Sequence, residues 1–280
     1  MDSGGNEERA AELRVAVSTA ALMIRDEQLC AALVKRAAAP QVAGWSLPGG
    51  ALRSVGEAGA ETLLECAKRT FLEATGLELE APFLAQLATY DSRGDEGAGA
   101  GRAALTVAHI AVLPTFEQPR PGPGCSDARW LPVSEVLLGS RRMASGDGRI
   151  LADAAARITE LVESTALATA FCEEWFTVSY LRRVYEVVWD LPRDTLDPGN
   201  FHHRVTKMPG YIEAIGRDEV VARETETAEV ERRLGIPATV GASMRGRPPQ
   251  YFRQGALVRE RGVDARLERP LSRPPNGGAA

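Results

Sequence analysis

Short apolar runs occur throughout the first part of the chain, and they predict strands. Residues 15–24 and 31–36 are two such runs on either side of a polar turn, which is typical of paired strands. Two further runs, 83–90 and 105–113, predict more strands. The Gly-rich, charged stretch between them, residues 92–102, predicts a mobile loop.

Helical spacing occurs between and after these runs. Apolar residues recur at steps of three and four from residue 61 to residue 75, which predicts an amphipathic helix that Gly76 ends. A short helix at 133–138 and a longer helix at 150–163 are also predicted. The residues expected on the apolar face of the first helix are Leu64, Ala67, Phe71 and Leu72.

The second half of the chain shows a different order of elements. Thr177 is predicted to cap a helix over 178–189, and a turn at 197–200 opens a second helix that ends at residue 207 or 208. Two short alternating segments, 211–215 and 250–252, predict the strands of a wing. This order is the outline of a winged helix-turn-helix domain.

The remaining segments are predicted to lie outside the two folded regions. Residues 1–12 are expected to form a disordered leader, and a charged insertion at about 217–245 separates the wing strands. The tail at 259–280 is rich in Arg, Pro and Gly and is expected to be disordered.

Length and composition are those of a two-domain globular protein. The chain has 280 residues, of which 44% are hydrophobic and 25% charged, so it can bury real cores. The four cysteines are scattered without metal-ligand spacing, so we expect no zinc or other metal site and reduced thiols. The acidic start and the lack of any apolar stretch of about 20 residues predict a soluble, cytoplasmic protein without a membrane partner.

Charge is distributed unevenly between the two halves. Residues 177–280 hold 17 Arg and Lys against 14 Asp and Glu, a net charge of +3, whereas residues 1–176 hold 16 against 24, a net charge of −8. This asymmetry permits a DNA-binding second half.

The helix at 61–75 carries the most informative chemistry of the first half. A helix that directs several glutamates to one point suits Mg²⁺ and diphosphate chemistry, because carboxylate oxygens are the ligands that Mg²⁺ prefers. The segment from Gly49 to Glu78 resembles the Nudix family, whose signature is G-x5-E-x7-R-E-U-x-E-E-x-G-U with U aliphatic. Seven residues separate Glu61 from Arg69, and Phe71, Glu73, Gly76 and Leu77 fall at matching positions.

This resemblance covers roughly residues 13–163 and implies an α/β/α sandwich, with departures at the catalytic positions. Ten residues instead of five separate Gly50 from Glu61, Thr70 replaces the Glu after Arg69, and Ala74 replaces the second Glu of the pair. In active members those carboxylates bind the metals, and Glu73 alone does not assemble a two-metal site. We therefore expect no catalytic residues and no metal, although a pocket for a nucleoside diphosphate can remain.

The expected ligand-binding residues are Arg36, Gly49, Gly50 and Glu73. Arg36 can clamp a phosphate, or it can be an ordinary surface arginine. Trp45 can stack on a base, although a core position is the alternative. The helix itself can also be a plain amphipathic surface helix without a ligand.

The second helix of the second half is the candidate for DNA contacts. Asn reads adenine, and Arg and Lys bind guanine or phosphate, when such a helix enters the major groove. Asn200 can instead cap this helix, and the histidines can be solvated helix residues. Arg247 in the wing can hold a phosphate or decorate a turn. The predicted DNA-binding residues are Thr177, Asn200, His202, His203, Arg204, Lys207 and Arg247.

Three segments of this half resemble the Nudix-related regulators of NAD metabolism, the NrtR family. They are 176–188 (FTVSYLRRVYEVV), 200–208 (NFHHRVTKM) and 246–253 (GRPPQYFR). The resemblance implies a homodimeric repressor of NAD biosynthesis or salvage genes that binds operator DNA and releases it on sensing ADP-ribose or a related nucleotide, with no cofactor required. The alternatives are an active Nudix hydrolase of ADP-ribose and a metabolite-binding protein that does not touch DNA.

Overall fold

The computed structural model describes residues 14–37, 44–53, 60–91, 104–114, 117–144, 146–216, 218–219 and 250–274. The chain divides into two compact units, Met1–Ile158 and Thr159–Ala280. The division falls within the helix that was predicted to end the first domain. The leader at 1–12, the loop at 92–102, Arg247 and nearly all of the insertion at 217–245 lie outside the described residues.

A mixed sheet forms the framework of the first unit. Its central order is β3-β2-β1-β6-β5, with β4 paired to β1 and β7 paired to β2. β1 runs parallel to β6 and antiparallel to β2. The strands are β1 (Arg14–Arg25), β2 (Gln28–Arg36), β3 (Trp45–Ser46), β4 (Gly49–Ala51), β5 (Phe83–Asp91), β6 (Ala104–Val112) and β7 (Cys125–Pro132).

Helix α1 (Leu63–Thr75) begins and ends at residues that satisfy its terminal backbone groups. Thr62 accepts the backbone N–H of Glu65, and the Glu65 carboxylate accepts the backbone N–H of Thr62 at 2.7 Å. This reciprocal capping box starts the helix two residues after the predicted start, residue 61. Gly76 ends the helix with a φ of +70°, a left-handed conformation that favours glycine, which confirms its predicted role.

The buried face of α1 is partly different from the predicted one. Ala67 and Phe71 are buried as expected, together with Cys66, Thr70 and Ala74, but Leu64 and Leu72 are 45% and 43% exposed. The buried face is therefore rotated from the predicted one, and it consists of small residues around Phe71. Two further helices complete the unit's helical content in the described segments, α2 (Val133–Leu137) and α3 (Asp147–Ser164), the latter continuing into the second unit.

The second unit combines helices with a three-stranded sheet of order β8-β10-β9. Thr177 caps the first long helix by accepting the backbone N–H of Tyr180 at 3.1 Å, as predicted. The elements are a 3₁₀ helix (Ala166–Phe171), β8 (Phe176–Thr177), α4 (Val178–Val188), α5 (Pro198–Thr206), β9 (Ile212–Ala214), β10 (Tyr251–Gln254) and α6 (Ala256–Arg261).

Aromatic residues form the centre of this second core. Tyr185 on α4 meets Trp189 and Phe201 edge-on, with ring centroids 5.1 and 5.4 Å apart. Its hydroxyl is hydrogen-bonded to that of Tyr211 at 2.8 Å, so a buried polar atom is satisfied. These contacts pack α5 against α4.

Residues 259–274 of the C-terminal tail are ordered, so the prediction of disorder was wrong for these residues. Val263, Leu267 and Leu271 are buried. The backbone N–H of Leu267 donates to Ser164 at 2.9 Å, and that of Leu271 donates to Glu163 at 3.0 Å. The prediction rested on the Arg and Pro content of the tail and gave no weight to these three apolar residues. They are buried because they have a folded surface to pack on.

None of the helices in the described residues is long and apolar enough to cross a membrane.

Candidate functional site

β4 places Gly49 and Gly50, two of the predicted ligand-binding residues, near α1. The Arg36 Nη2 donates to the Gly49 carbonyl oxygen at 2.7 Å. A Cβ on Gly49 would overlap the Val17 carbonyl oxygen, so only glycine fits this strand pairing. A Cβ on Gly50 would lie 3.1 Å from the Thr70 methyl group. The structure therefore places Arg36 against Gly49, and Gly50 beside Thr70 of α1.

Glu61 and Arg69 form the central ion pair of the site. The Arg69 Nε donates to Glu61 Oε2 at 2.9 Å, and its Nη2 donates to the Ala51 carbonyl oxygen at 3.1 Å. The hydrogen bonds from Arg69, with that from the Arg53 backbone N–H, lower the pKa of Glu61 from 4.5 to about 2. Glu61 thus joins the backbone of Arg53 to Arg69 of α1.

Glu73 lies between two arginines. Arg69 Nη1 is 3.0 Å from Glu73 Oε2, and Arg53 Nη2 is 3.2 Å from Glu73 Oε1. The side chains of Arg53 and Glu73 are 65% and 51% exposed, whereas that of Arg69 is 21% exposed. Arg53 was not predicted as a site residue, because an arginine in a polar loop has no local pattern that marks it.

The two substituted signature positions are packed into the fold. Thr70 is 3% exposed, and its hydroxyl donates to the Cys66 carbonyl oxygen at 2.8 Å. Ala74 is also 3% exposed. Neither side chain is a carboxylate, and neither is exposed at the surface of α1.

Two other features of this unit do not involve Gly49, Gly50 or Glu73. Trp45 is 4% exposed, which favours its core role, and the Lys35 ammonium lies 4.9 Å from its ring centroid. An open depression of about 590 Å³ is lined by residues that include Leu64, Lys68 and Leu79. None of the predicted ligand-binding residues lines it.

Helix α5 presents most of its predicted DNA-binding residues to solvent. Asn200, His203 and Lys207 are exposed. The His202 ring is edge-on to Phe252, with centroids 6.2 Å apart. Arg204 Nη2 donates to the Pro270 carbonyl oxygen at 3.0 Å, so this side chain has a partner within the unit.

Asp197 caps α5, so the alternative in which Asn200 is the N-cap was wrong. The Asp197 carboxylate accepts the backbone N–H of Asn200 at 2.7 Å, and Pro198 occupies the first turn. The Asn200 side chain is thereby left exposed near the N-terminus of α5. Thr177 uses its hydroxyl oxygen as the cap of α4, and Arg247 lies outside the described residues.

A buried carboxylate holds the turn between α4 and α5. Glu186 is fully buried and accepts the backbone N–H of Leu196 at 3.1 Å. It is also paired with Arg182 and Arg183, each at 3.3 Å. Arg182 reaches on to Asp194 at 2.6 Å. This cluster was not predicted from the sequence, since only the fold shows that the turn covers Glu186.

The two units define a class of protein in which an α/β sandwich precedes a winged helix-turn-helix. The family model of the NUDIX domain matches residues 14–154, which is half of the chain. The chain therefore belongs to the NUDIX family.

Among curated proteins, the chain is similar to the ADPR responsive transcriptional repressor NtrR of Acinetobacter baylyi. The two are 26% identical over 172 residues, a match that covers 61% of this chain and 65% of that protein. The match thus spans slightly less than two thirds of the relative's length.

Solved structures share the fold of both units. Shewanella oneidensis NrtR complexed with a 27mer DNA has a TM-score of 0.62 and 22% identity, over 92% of this chain and 99% of that chain. A MutT/nudix family protein from Enterococcus faecalis has a TM-score of 0.62 and 19% identity, over 75% and 85% of the two chains.

The divalent metal that the NUDIX family implies does not fit these residues. Glu61 is bonded to Arg69, Glu65 is used in the capping box of α1, and Glu73 is bonded to two arginines. Within the described segments, no group of three or more His, Cys, Asp or Glu is placed to hold a metal ion. A hard divalent cation needs several free oxygen ligands, and α1 does not supply them.

Proposed function

We propose that this protein is a ligand-responsive transcriptional repressor. Its NUDIX unit senses ADP-ribose or a related nucleotide without hydrolysing it, and its winged helix-turn-helix unit binds operator DNA. One chain combines two features, and this combination carries the proposal. The carboxylates of α1 are all held by partners within the protein, so they are not available to a metal. The N-terminal end of α5 is capped by Asp197 and exposed to solvent.

The similarity to NtrR supports the choice of effector, since that protein is named as ADPR responsive. The shared fold with NrtR, solved with DNA, supports the choice of partner. The resemblance to this family also supports NAD biosynthesis or salvage genes as the targets. A homodimer follows from the two-fold symmetry of the operators that such domains bind.

The experiment is an electrophoretic shift of full-length protein on its own upstream DNA and on the promoters of NAD biosynthesis genes. We expect a specific complex that ADP-ribose weakens. Scrambled DNA of the same composition is the control, because non-specific binding depends on phosphates alone. Failure to bind any of these promoters at low salt would contradict the repressor function.

An active hydrolase is the second candidate, since Glu61 and Glu73 remain. Incubation with ADP-ribose and Mg²⁺ or Mn²⁺, followed by assay for AMP and ribose 5-phosphate, separates the two. We expect turnover far below the roughly 10 per second of a median enzyme. A rate of that order would make the hydrolase the better proposal.

A further inference from the structure

Two acidic side chains at Nudix signature positions, one before α1 and one on it, are neutralised within the protein. Glu61 is paired with Arg69, and Glu73 is paired with Arg69 and Arg53. These four groups sum to zero charge, so a divalent cation would meet a neutral cluster instead of a group of free carboxylates. The one carboxylate at a catalytic signature position, Glu73, already has a cation on each of its oxygens.

We propose that the guanidinium of Arg53 takes the place of the divalent metal, and that the first unit binds the diphosphate of its nucleotide ligand without a metal ion. This inference rests on the proposed function in one respect, namely that the unit binds a nucleoside diphosphate. It adds the residue that recognises the diphosphate and the absence of any need for Mg²⁺.

Arg53 is anchored at its backbone, whereas its guanidinium is held only by an exposed ion pair with Glu73. Its N–H donates to Glu61 Oε1 at 2.8 Å, which holds the main chain beside α1. Its side chain is 65% exposed. The guanidinium can therefore turn from Glu73 to a ligand while its Cα stays in place.

The exchange of partners is favourable on electrostatic grounds. An ion pair as exposed as Arg53–Glu73 contributes little, because water screens it. Glu73 keeps Arg69 as a partner when Arg53 leaves, so no carboxylate is stranded. A diphosphate offers two negatively charged groups to a planar guanidinium, which binds phosphate oxygens through two parallel N–H donors.

Arg36, the last residue of β2, is the other arginine among these residues, and it differs from Arg53 in its bonding. Its guanidinium already donates to the Gly49 carbonyl oxygen and stabilises the loop. Substitution of Arg36 would therefore disturb the loop as well as the ligand. Arg53 gives the cleaner test.

The experiment is isothermal titration calorimetry of full-length protein with ADP-ribose, once in excess EDTA and once in millimolar Mg²⁺. We expect the same dissociation constant in both buffers. Arg53→Gln should weaken binding by about tenfold or more in both, as loss of a charge-assisted hydrogen bond does. Arg53→Lys should recover part of the loss, since it restores charge without the planar fork.

Arg129→Gln is the matched control. Arg129 is 61% exposed and paired with Asp127 at 3.0 Å, so it has the same kind of surface ion pair. Its replacement should leave ADP-ribose binding unchanged. An electron paramagnetic resonance titration of the ligand-free protein with Mn²⁺ should show only the signal of the free ion, and a signal from bound Mn²⁺ would contradict the inference.

Two outcomes would overturn the inference alone: binding that EDTA abolishes, or wild-type affinity in Arg53→Gln. If wild-type protein binds no ADP-ribose in either buffer, the effector assignment in the proposed function fails together with the inference. The DNA shift without ligand then shows whether the repressor function survives.

Discussion

The guanidinium of Arg204 donates a hydrogen bond to the carbonyl oxygen of Pro270, 3.0 Å away. This contact joins α5, the helix proposed to enter the major groove, to the C-terminal segment that the composition predicted to be disordered. The segment is held on its other side by the buried side chains of Leu267 and Leu271. Residues 259–274 are therefore part of the second unit and not an appendage to it.

Removing an anchor of this segment should destabilise the second unit. Leu271 is 2% exposed, so Leu271→Ala is expected to lower the free energy of unfolding by about 2–5 kcal/mol. Urea denaturation followed by tryptophan fluorescence measures the loss. Leu138→Ala is the control, because Leu138 is 83% exposed and its truncation should change little. Equal stabilities of the two variants would show that the tail is not packed as described.

Asp197 and Asn200 should have separable effects. Asp197→Ala removes the cap of α5 and should lower the free energy of unfolding by about 1 kcal/mol. Asn200→Ala should leave stability unchanged, since its side chain does not cap the helix. It should nevertheless lose about 1–3 kcal/mol of discrimination between operator and random DNA, if Asn200 reads a base. Fluorescence anisotropy with both DNAs and thermal melts of both variants test this, and an Asn200→Ala variant with full discrimination would remove Asn200 from the base contacts.

Lys207 is expected to contact phosphate and not a base. Lys207→Ala should weaken binding to operator and random DNA equally, and it should reduce the slope of log affinity against log salt by about 1. Arg149→Ala is a suitable control, because Arg149 is 78% exposed and belongs to the first unit. A loss confined to operator DNA would assign Lys207 to base recognition instead.

The ion pair of Glu61 should make the first unit sensitive to acid. Its carboxyl pKa is lowered from 4.5 to about 2 by the bonds from Arg69 and Arg53. A lowered pKa means that the stabilisation is fully present above pH 4.5 and is lost as the pH falls towards 2. Wild-type protein should therefore lose melting temperature across this window more steeply than Glu61→Gln.

The partner of Glu61 provides the control for this pH effect. Arg69→Gln removes the main cause of the lowered pKa and should flatten the same part of the melting curve. Parallel melts of the three proteins between pH 5 and pH 2 test the assignment. A slope in Glu61→Gln equal to that of wild type would place the acid sensitivity elsewhere.

The amino-acid sequence by itself determined the features that depend on near neighbours in the chain. The helix at α1, its stop at Gly76, the cap at Thr177 and the helix-turn-helix order were all predicted correctly. Each of these rests on contacts within a few residues, where periodicity and backbone preference decide the outcome. The spacing of Glu61 and Arg69 was equally evident from the sequence. So was the replacement of two signature glutamates by Thr70 and Ala74.

Only the tertiary structure decided which distant groups meet. Arg53 and Glu73 are 20 residues apart in the chain, and Arg204 and Pro270 are 66 apart. Strand β7 was missed for the same reason, since its mixed residues form a strand only because β2 offers an edge to pair with. The ordered tail likewise depends on a surface built by residues just over a hundred positions earlier, at Glu163 and Ser164. Local pattern carries no information on such partners, because the path of the folded chain brings them together.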